Sequence, residues 1–318
     1  AKTYLQIVGG FCILNALIPI CSSYLRAFGF SKEPLYASII GNVINFCLNA
    51  FFLFVLHKGV AGVATATVIS RIINLVIVVL LGAVLVKAKQ HPERESNRAV
   101  MGQIIRIGLP SACETAIYNV SMTLVIRFLN QMDAQGLNVT ARSYTMQITN
   151  FSYCVGAALA QANAIMTGWH IGAKEYDACD RGTKKAAVIG VIVAVILETV
   201  FTLCSGWIMQ LFSKDPQMVS LVGKLLAIDI VLEIGRVTNL VYGQALKTSG
   251  DAVFPVVMGA CFMILCSVGG TYLFGIRLGL LAVGAYIGMT GDECVRAVGM
   301  YLRWKSGKWK EKGLVKSR

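Results

Sequence analysis

The chain has 318 residues, of which 56% are hydrophobic and only 14% charged, against roughly 25% charged in an ordinary soluble domain. That deficit argues against a cytosolic enzyme. With 29 Lys and Arg against 16 Asp and Glu the formal net charge is +13, but the mean hydropathy of +0.67 sets the basic residues between long apolar runs, which speaks against a nucleic-acid partner and for the lipid bilayer.

In chain order, Thr3 to Leu25 carries no charge and, at about 1.5 Å per residue, is long enough to cross roughly 30 Å of hydrocarbon as a helix. Pro34 to Leu56 repeats the pattern, and further spans are expected near 60–86, 104–129, 141–169, 186–212, 219–246, 253–276 and 279–302. All nine are expected to be helical, since hydrocarbon offers no partner to backbone N–H and C=O groups and the runs are too continuously apolar for barrel strands. The Lys and Arg of alternating connections divide 19 to 4, with the 19 (Lys87, Lys89, Arg94, Lys247 and the C-terminal tail among them) on one side. The positive-inside rule places that side, and the C-terminus, in the cytoplasm of a cell with the chain in its plasma or inner membrane. Nine spans then put residue 1 outside, and with no signal peptide the chain is expected to be an N-terminally truncated portion of a transporter-like protein.

Ten cysteines without a CxxC pair read as small buried hydrophobes. His57, His91 and His170 are each alone near a span end, so no metal site is expected. Gly269-Gly270 lacks a following Lys-Ser/Thr, so there is no phosphate loop. No compact nucleophile and base constellation suggests an enzyme, no cofactor is implied, and no obligate protein partner is evident.

A shift of 221 residues brings Leu25-Arg26, Gly29 and Pro34 onto Leu246-Lys247, Gly250 and Pro255. In both places a basic residue closes one helix and Pro sits in the first turn of the next. Gly59 to Ala66 and Gly279 to Ala285 then match as small-residue helix starts. The first three spans therefore correspond to the last three, in a parallel two-lobe repeat. Residues 1–88 form the second half of one lobe, 89–103 a cytoplasmic linker, 104–303 a complete six-helix lobe, and 304–318 a basic cytoplasmic tail.

Arg26-Ala27-Phe28-Gly29 with Lys32-Glu33-Pro34, then Asn42, Asn45 and Asn49, then Gly59 to Thr67, resemble the fourth to sixth helices of the MATE (multidrug and toxic compound extrusion) family. Ile107-Gly108-Leu109-Pro110-Ser111, Gln161-Ala162-Asn163, Gly172-Ala173-Lys174 and Leu246-Lys247 through Gly250-Asp251 resemble its C-terminal lobe. Family members have twelve helices in two lobes, so the resemblance implies that the first three are missing. It also implies a secondary antiporter that exports organic, often cationic, compounds in exchange for Na⁺ or H⁺.

An ionisable group at mid-span costs at least ~2.5 kcal/mol to insert, so each is a functional candidate. Glu114 lies about two turns into the fourth span, with Tyr118 and Asn119 on the next turn. The resemblance places a cation-site Glu at this position after the Gly-Leu-Pro motif. In the seventh span Asp229, Glu233 and Arg236 fall at i, i+4 and i+7 on one face. Glu233 is placed to pair with Arg236, leaving Asp229 without a local partner. The resemblance also implies an acidic cation-site residue here, and both Asp229 and Glu233 stay open for it. In the fifth span Tyr144, Gln147, Asn150 and Tyr153 make a polar stripe, read equally as packing or as substrate contact. Arg127 and Arg142 flank an outer loop and are expected to snorkel. Glu198, Asp292 and Glu293 are weaker candidates, with Glu293 pairing to Arg296 near the cytoplasmic end of the ninth span. A flippase of lipid-linked saccharides is the alternative, with Arg127, Arg142 and Arg236 as cations for a pyrophosphate.

Overall fold

The computed structural model describes residues 2–87, 97–133 and 136–312, and every regular element in them is helical. Two compact units are present, Ala1–Arg94 and Glu95–Arg318. Residues 88–96, all but the first of them in the expected linker and carrying Lys89, His91 and Arg94, and 313–318 of the expected tail lie outside the described residues.

In the first unit, α1 (Lys2–Gly10) and α2 (Ile13–Ala27) meet at a bend of 43°, and α3 (Lys32–Ala50) continues into a π-helical turn, Phe51–Val55. Both α2 and α3 pack on α4 (Gly59–Lys87) around Leu25, Ala37, Val78 and Val86. In the second unit, α5 (Asn97–Met132), α6 (Leu137–Gly172), α7 (Tyr176–Leu203) and the short α8 (Ser205–Met209) precede α9 (Pro216–Thr248). Pro216 at the first helical position and the Asp215 carboxylate, which accepts from Gln217 N at 3.0 Å, start α9 cleanly. Then come α10 (Val253–Phe262), two π-helical stretches (Met263–Val268 and Thr271–Arg277) and α11 (Leu281–Lys305).

Helix covers each of the nine expected spans. The sixth is shifted, because α7 begins at Tyr176 and breaks at Cys204. Four helical segments are long and apolar enough to cross a membrane, namely Lys32–Val55, Gly59–Val86, Tyr176–Leu203 and Val253–Arg277, and the bent pair α1 and α2 makes a fifth if counted as one span. By contrast α5, α6, α9 and α11 fall short on apolarity, for a physical reason: together they enclose the polar interior described below. Outward surfaces are apolar instead, with Phe54 77% and Leu203 80% exposed, as expected where lipid covers the protein. All ten cysteines are free, but only Cys179 is buried; the expectation of buried fillers is corrected, since most sit on outward helix faces.

The repeat extends to the backbone. After α2, Phe30 N donates to Leu25 O at 3.0 Å and Gly29 N to Arg26 O at 2.9 Å; after α9, Asp251 N donates to Leu246 O at 2.9 Å and Gly250 N to Lys247 O at 3.1 Å. Gly29 and Gly250 hold φ of 88° and 92°, the left-handed conformation that this helix ending requires. Further on the shift becomes 222: Leu56 N to Phe51 O and Lys58 N to Phe52 O are mirrored by Leu278 N to Leu273 O and Leu280 N to Phe274 O.

Behind the second of these turns, Asp251 is fully buried and holds Arg303 of α11 and Lys312, each at 2.6 Å. Burial alone would raise the Asp251 carboxyl, but the hydrogen bonds and charges of Arg303 and Lys312 outweigh it and hold it below the ordinary carboxylate range. Trp309, on a 3-10 turn (Lys308–Glu311), stacks on Trp304 with centroids 4.2 Å apart. The expected polybasic tail is thus docked, not free, as far as Lys312.

Candidate ion and substrate site

Helix α9 is the axis of the second unit, packed on α6, α7 and α11. Glycines let these helices close on it. A Cβ added to Gly156 of α6 would lie 2.8 Å from Val237 Cγ2, and one on Gly190 of α7 only 2.7 Å from Val237 Cγ1. Val237 is one turn beyond Glu233, so the same contacts press α7 against the acidic face of α9. Across the helix, a Cβ on Gly235 would fall 2.9 Å from the backbone N of Cys294 on α11.

The outcome is a cluster of buried charge. Glu198 of α7 and Asp229 and Glu233 of α9 are 0%, 2% and 0% exposed, and one carboxylate oxygen from each lies within 4.8 Å of the others. Glu233 forms an ion pair with Arg236, which also reaches Glu293 at 3.8 Å. Arg296 pairs with both Asp292 and Glu293 at 2.9 Å. Asn239 Nδ2 donates to Glu293 at 3.0 Å, and Ser267 Oγ to Asp292 at 3.0 Å. Asp229 Oδ2 and both Glu198 oxygens lack a hydrogen-bond partner, and Ser152 faces Glu198 without a well-formed bond. Among the described residues, five carboxylates thus share the two ion-paired guanidiniums, Arg236 and Arg296. Such a group is stable only if a cation or proton makes up the balance. Three oxygen ligands of this kind suit a hard monovalent or divalent cation.

Two adjoining cavities open beside the cluster. The first, about 230 Å³, is lined by Arg142, Asn150, Asp229, Tyr286, Asp292 and others. The second, about 270 Å³, includes Glu114, Lys247, Asn239 and Arg296 in its wall. Tyr118, Tyr153, Arg236 and Glu293 line both.

Glu114 accepts from Lys247 Nζ at 2.6 Å, so it is an ion-paired group in the second cavity. Asp229 lines the first, so the two acids do not share one cavity. Among the expected cavity residues, Tyr118, Asn150 and Arg236 line the cavities. Asn119 is exposed and donates back to Thr115 O at 2.9 Å, Gln147 is exposed, and Tyr144 packs on Phe212 at 5.2 Å; none of the three lines either cavity. Arg142 does not snorkel: α6 starts at Leu137, which puts Arg142 on its inward face, 7% exposed. Glu293 and Arg296 do pair, but midway along α11, not at its end. Glu198 was the residue undervalued by sequence reasoning. Its signal was present: it is the single charged residue between Lys185 and Lys214.

Comparison with known proteins gives this architecture its family. The family model described as MatE matches residues 110–273. YisQ, an uncharacterised transporter of Bacillus subtilis, is 34% identical over 321 residues, spanning 99% of this chain and 70% of its own. A probable multidrug resistance protein NorM of Thermotoga maritima is 22% identical, spanning 99% of this chain and 68% of its own. Among solved structures, a multidrug resistance MATE family transporter of the MOP superfamily in an outward-facing conformation superposes with a TM-score of 0.85 at 18% identity, covering 98% of this chain and 71% of that one. A MOP superfamily transporter of Pyrococcus furiosus, described as having a binding pocket of reverse polarity, gives 0.86 at 18% identity over 97% of this chain and 70% of its own. Matched by the family model over about half its length, and by a 34%-identical relative along nearly all of it, the chain belongs to the MatE family of multi-pass membrane transporters, which are not enzymes.

Proposed function

We propose that the chain acts in secondary antiport, exporting organic, often cationic, compounds in exchange for Na⁺ or H⁺. The observation that carries this is the buried acidic cluster of Glu198, Asp229 and Glu233, short of positive charge and reaching a cavity wall through Asp229. A transported cation or proton loads the cluster and removes its internal repulsion. Because Asp229 also faces the substrate cavity, ion and cationic substrate compete for one carboxylate, which couples the entry of one to the release of the other. Glu114, with Lys247, is a second acidic element on the same route. The multidrug resistance names of several relatives support the substrate class. The cavity holds Asp229, Asp292 and Glu293 against Arg142 and Arg236, a balance that disfavours the pyrophosphate of a lipid-linked saccharide.

In this reading residues 1–88 supply three membrane helices of one lobe, 89–103 link it to a six-helix lobe over 104–303, and the tail from 304 lies in the cytoplasm. The test is ion-gradient-driven uptake of a fluorescent organic cation into proteoliposomes containing the full-length protein. Glu198→Gln and Asp229→Asn each lower gradient-driven uptake at least about tenfold, the loss expected when a charge-assisted interaction goes. Unaltered uptake in both removes the cluster from the mechanism, and unaltered uptake in Glu114→Gln removes Glu114.

A further inference from the structure

The end of the second unit where α7 begins and α9 and α11 finish holds a separate cavity of about 240 Å³. It shares no lining residue with the two cavities beside the acidic cluster. Smaller than the roughly 300–1,000 Å³ of a site for a drug-sized compound, it has room for a compact charged head.

The docked tail builds one of its walls. Gly307, with φ of 71°, turns the chain back after α11, and Trp309 then stacks on Trp304 and donates from Nε1 to the Trp304 carbonyl at 3.0 Å. This fold-back brings Lys310 to the cavity, with Nζ 5.7 Å from the centre of the Trp309 ring. Lys184 of α7 and Lys305 of α11 supply two more ammonium groups. None of the three lysines has an ion pair among the described residues. The one acid in the lining, Asp180, already accepts from Trp304 Nε1 at 2.7 Å. Three cations therefore meet one anion around the rings of Tyr242, Tyr301 and Trp304. Those rings alone would suit a quaternary ammonium, but the lysines repel one, and the excess of positive charge selects a phosphate.

The surroundings decide between a free phosphate and a lipid. Residues 186–197, which follow Lys184 and Lys185 on α7, carry no charge, so the cavity sits where the apolar span begins. From Lys184 inward, Val188, Ile192 and Ile196 recur at every fourth residue, each more than half exposed. From Lys305 inward on α11, Tyr301 and Val298 are exposed too. A soluble phosphate gains nothing from two outward apolar stripes that start at its site, whereas acyl chains lie along them. Basic pockets between membrane helices at headgroup depth recognise acidic lipids in this way.

We propose that this cavity binds an anionic glycerophospholipid: the phosphate sits among Lys184, Lys305 and Lys310, and the acyl chains run along the outward faces of α7 and α11. The site goes beyond the antiport reading and does not depend on it. It also gives the docked tail a task, since the fold-back at Gly307 is what delivers the third lysine.

The experiment measures, by calorimetry in a non-ionic detergent, binding of dihexanoyl phosphatidylglycerol, dihexanoyl phosphatidylcholine and inorganic phosphate to the purified full-length protein. The two lipids share acyl chains and a phosphate and differ in net charge. The wild type binds phosphatidylglycerol at least about tenfold more tightly than phosphatidylcholine, and inorganic phosphate at least about tenfold more weakly than phosphatidylglycerol. Replacing Lys184, Lys305 and Lys310 together with Gln brings the ratio between the two lipids to about one. Replacing Arg181, Lys185 and Lys308 together with Gln removes the same charge from positions outside the lining and leaves the ratio within about twofold of the wild type. Equal binding of the two lipids by the wild type overturns the proposal, as does failure to bind either. Phosphate bound as tightly as phosphatidylglycerol overturns it in favour of a soluble ligand. An undiminished ratio in the first triple variant, or an equal loss in the second, overturns it by showing that the cavity lysines are not what selects the lipid.

Discussion

Replacing Glu198 with Gln is expected to stabilise the protein while removing its ion response. With carboxylate oxygens within 4.8 Å of one another, each ionised pair repels by about 3.5 kcal/mol at an effective dielectric constant of about 20. Glu198 takes part in two of the three pairs, and Arg236, ion-paired with Glu233, offsets part of the repulsion. Glutamine keeps the shape and removes the charge, so a gain of about 3 kcal/mol is expected in the ion-free protein, or roughly 6–12 °C in Tm for a unit of this size. The assay is thermal unfolding of detergent-purified protein in choline chloride, then in NaCl at equal ionic strength, then across a pH series. The wild type closes the gap when its coupling ion is supplied, because a ligand bound only by the folded state raises stability by mass action. Closure by Na⁺ identifies sodium coupling and closure by acid alone identifies protons, while Glu198→Gln responds to neither. A variant less stable than the wild type under every condition, or a wild type indifferent to both ions, would refute the reasoning.

Asp251→Asn strips the buried partner from Arg303 and Lys312. It should cost about 1.5–3 kcal/mol through Arg303, with less than about 1 kcal/mol from the half-exposed Lys312, read as a lower Tm. The folded carboxyl lies below its ordinary range, so its stabilisation is complete above the unfolded value and is lost as pH falls through the folded one; the gap between wild type and variant must therefore narrow in acid. Gly235→Ala places a Cβ against the α11 backbone, which has no flexible end to yield, and should lower stability by about 1–3 kcal/mol, measured by thermal unfolding, while a neutral result would mean that α9 and α11 part easily. Glu114→Lys and Lys247→Glu should each reduce transport, and their combination should recover part of it if the 2.6 Å pair is what matters; a double variant no better than either single one would argue against the pairing.

The helices and the main ion pair were legible in the sequence because they are local. Uncharged runs give the helices, and the i, i+3 spacing gives Glu233 with Arg236. The bend between α1 and α2 and the π-helical run from Met263 to Arg277 leave no comparable mark, since both are adjustments of helices to their neighbours. The site was only half legible for the same reason. Glu198 meets Asp229 because Gly190 admits Val237, and Glu114 meets Lys247 across 133 residues of chain. Arg142 was misjudged because its distance from a loop suggested an end, when α6 begins early enough to turn it inward.

The duplicated turns have a consequence for where ion sensitivity can reside. Under the shift of 222, Asn45 donating to Ser70 at 3.1 Å occupies the place where Ser267 donates to Asp292 at 3.0 Å, and Asn74 occupies that of Arg296. One copy of the repeat thus keeps an amide and a hydroxyl where the other keeps a hydroxyl, a carboxylate and a guanidinium. The amide contact has the same strength in any salt and at any pH, while the charged one does not. A single backbone plan is therefore used twice, at these positions once as an inert strut and once as an electrically responsive one, so that a change in the ionic medium acts on the two copies unequally.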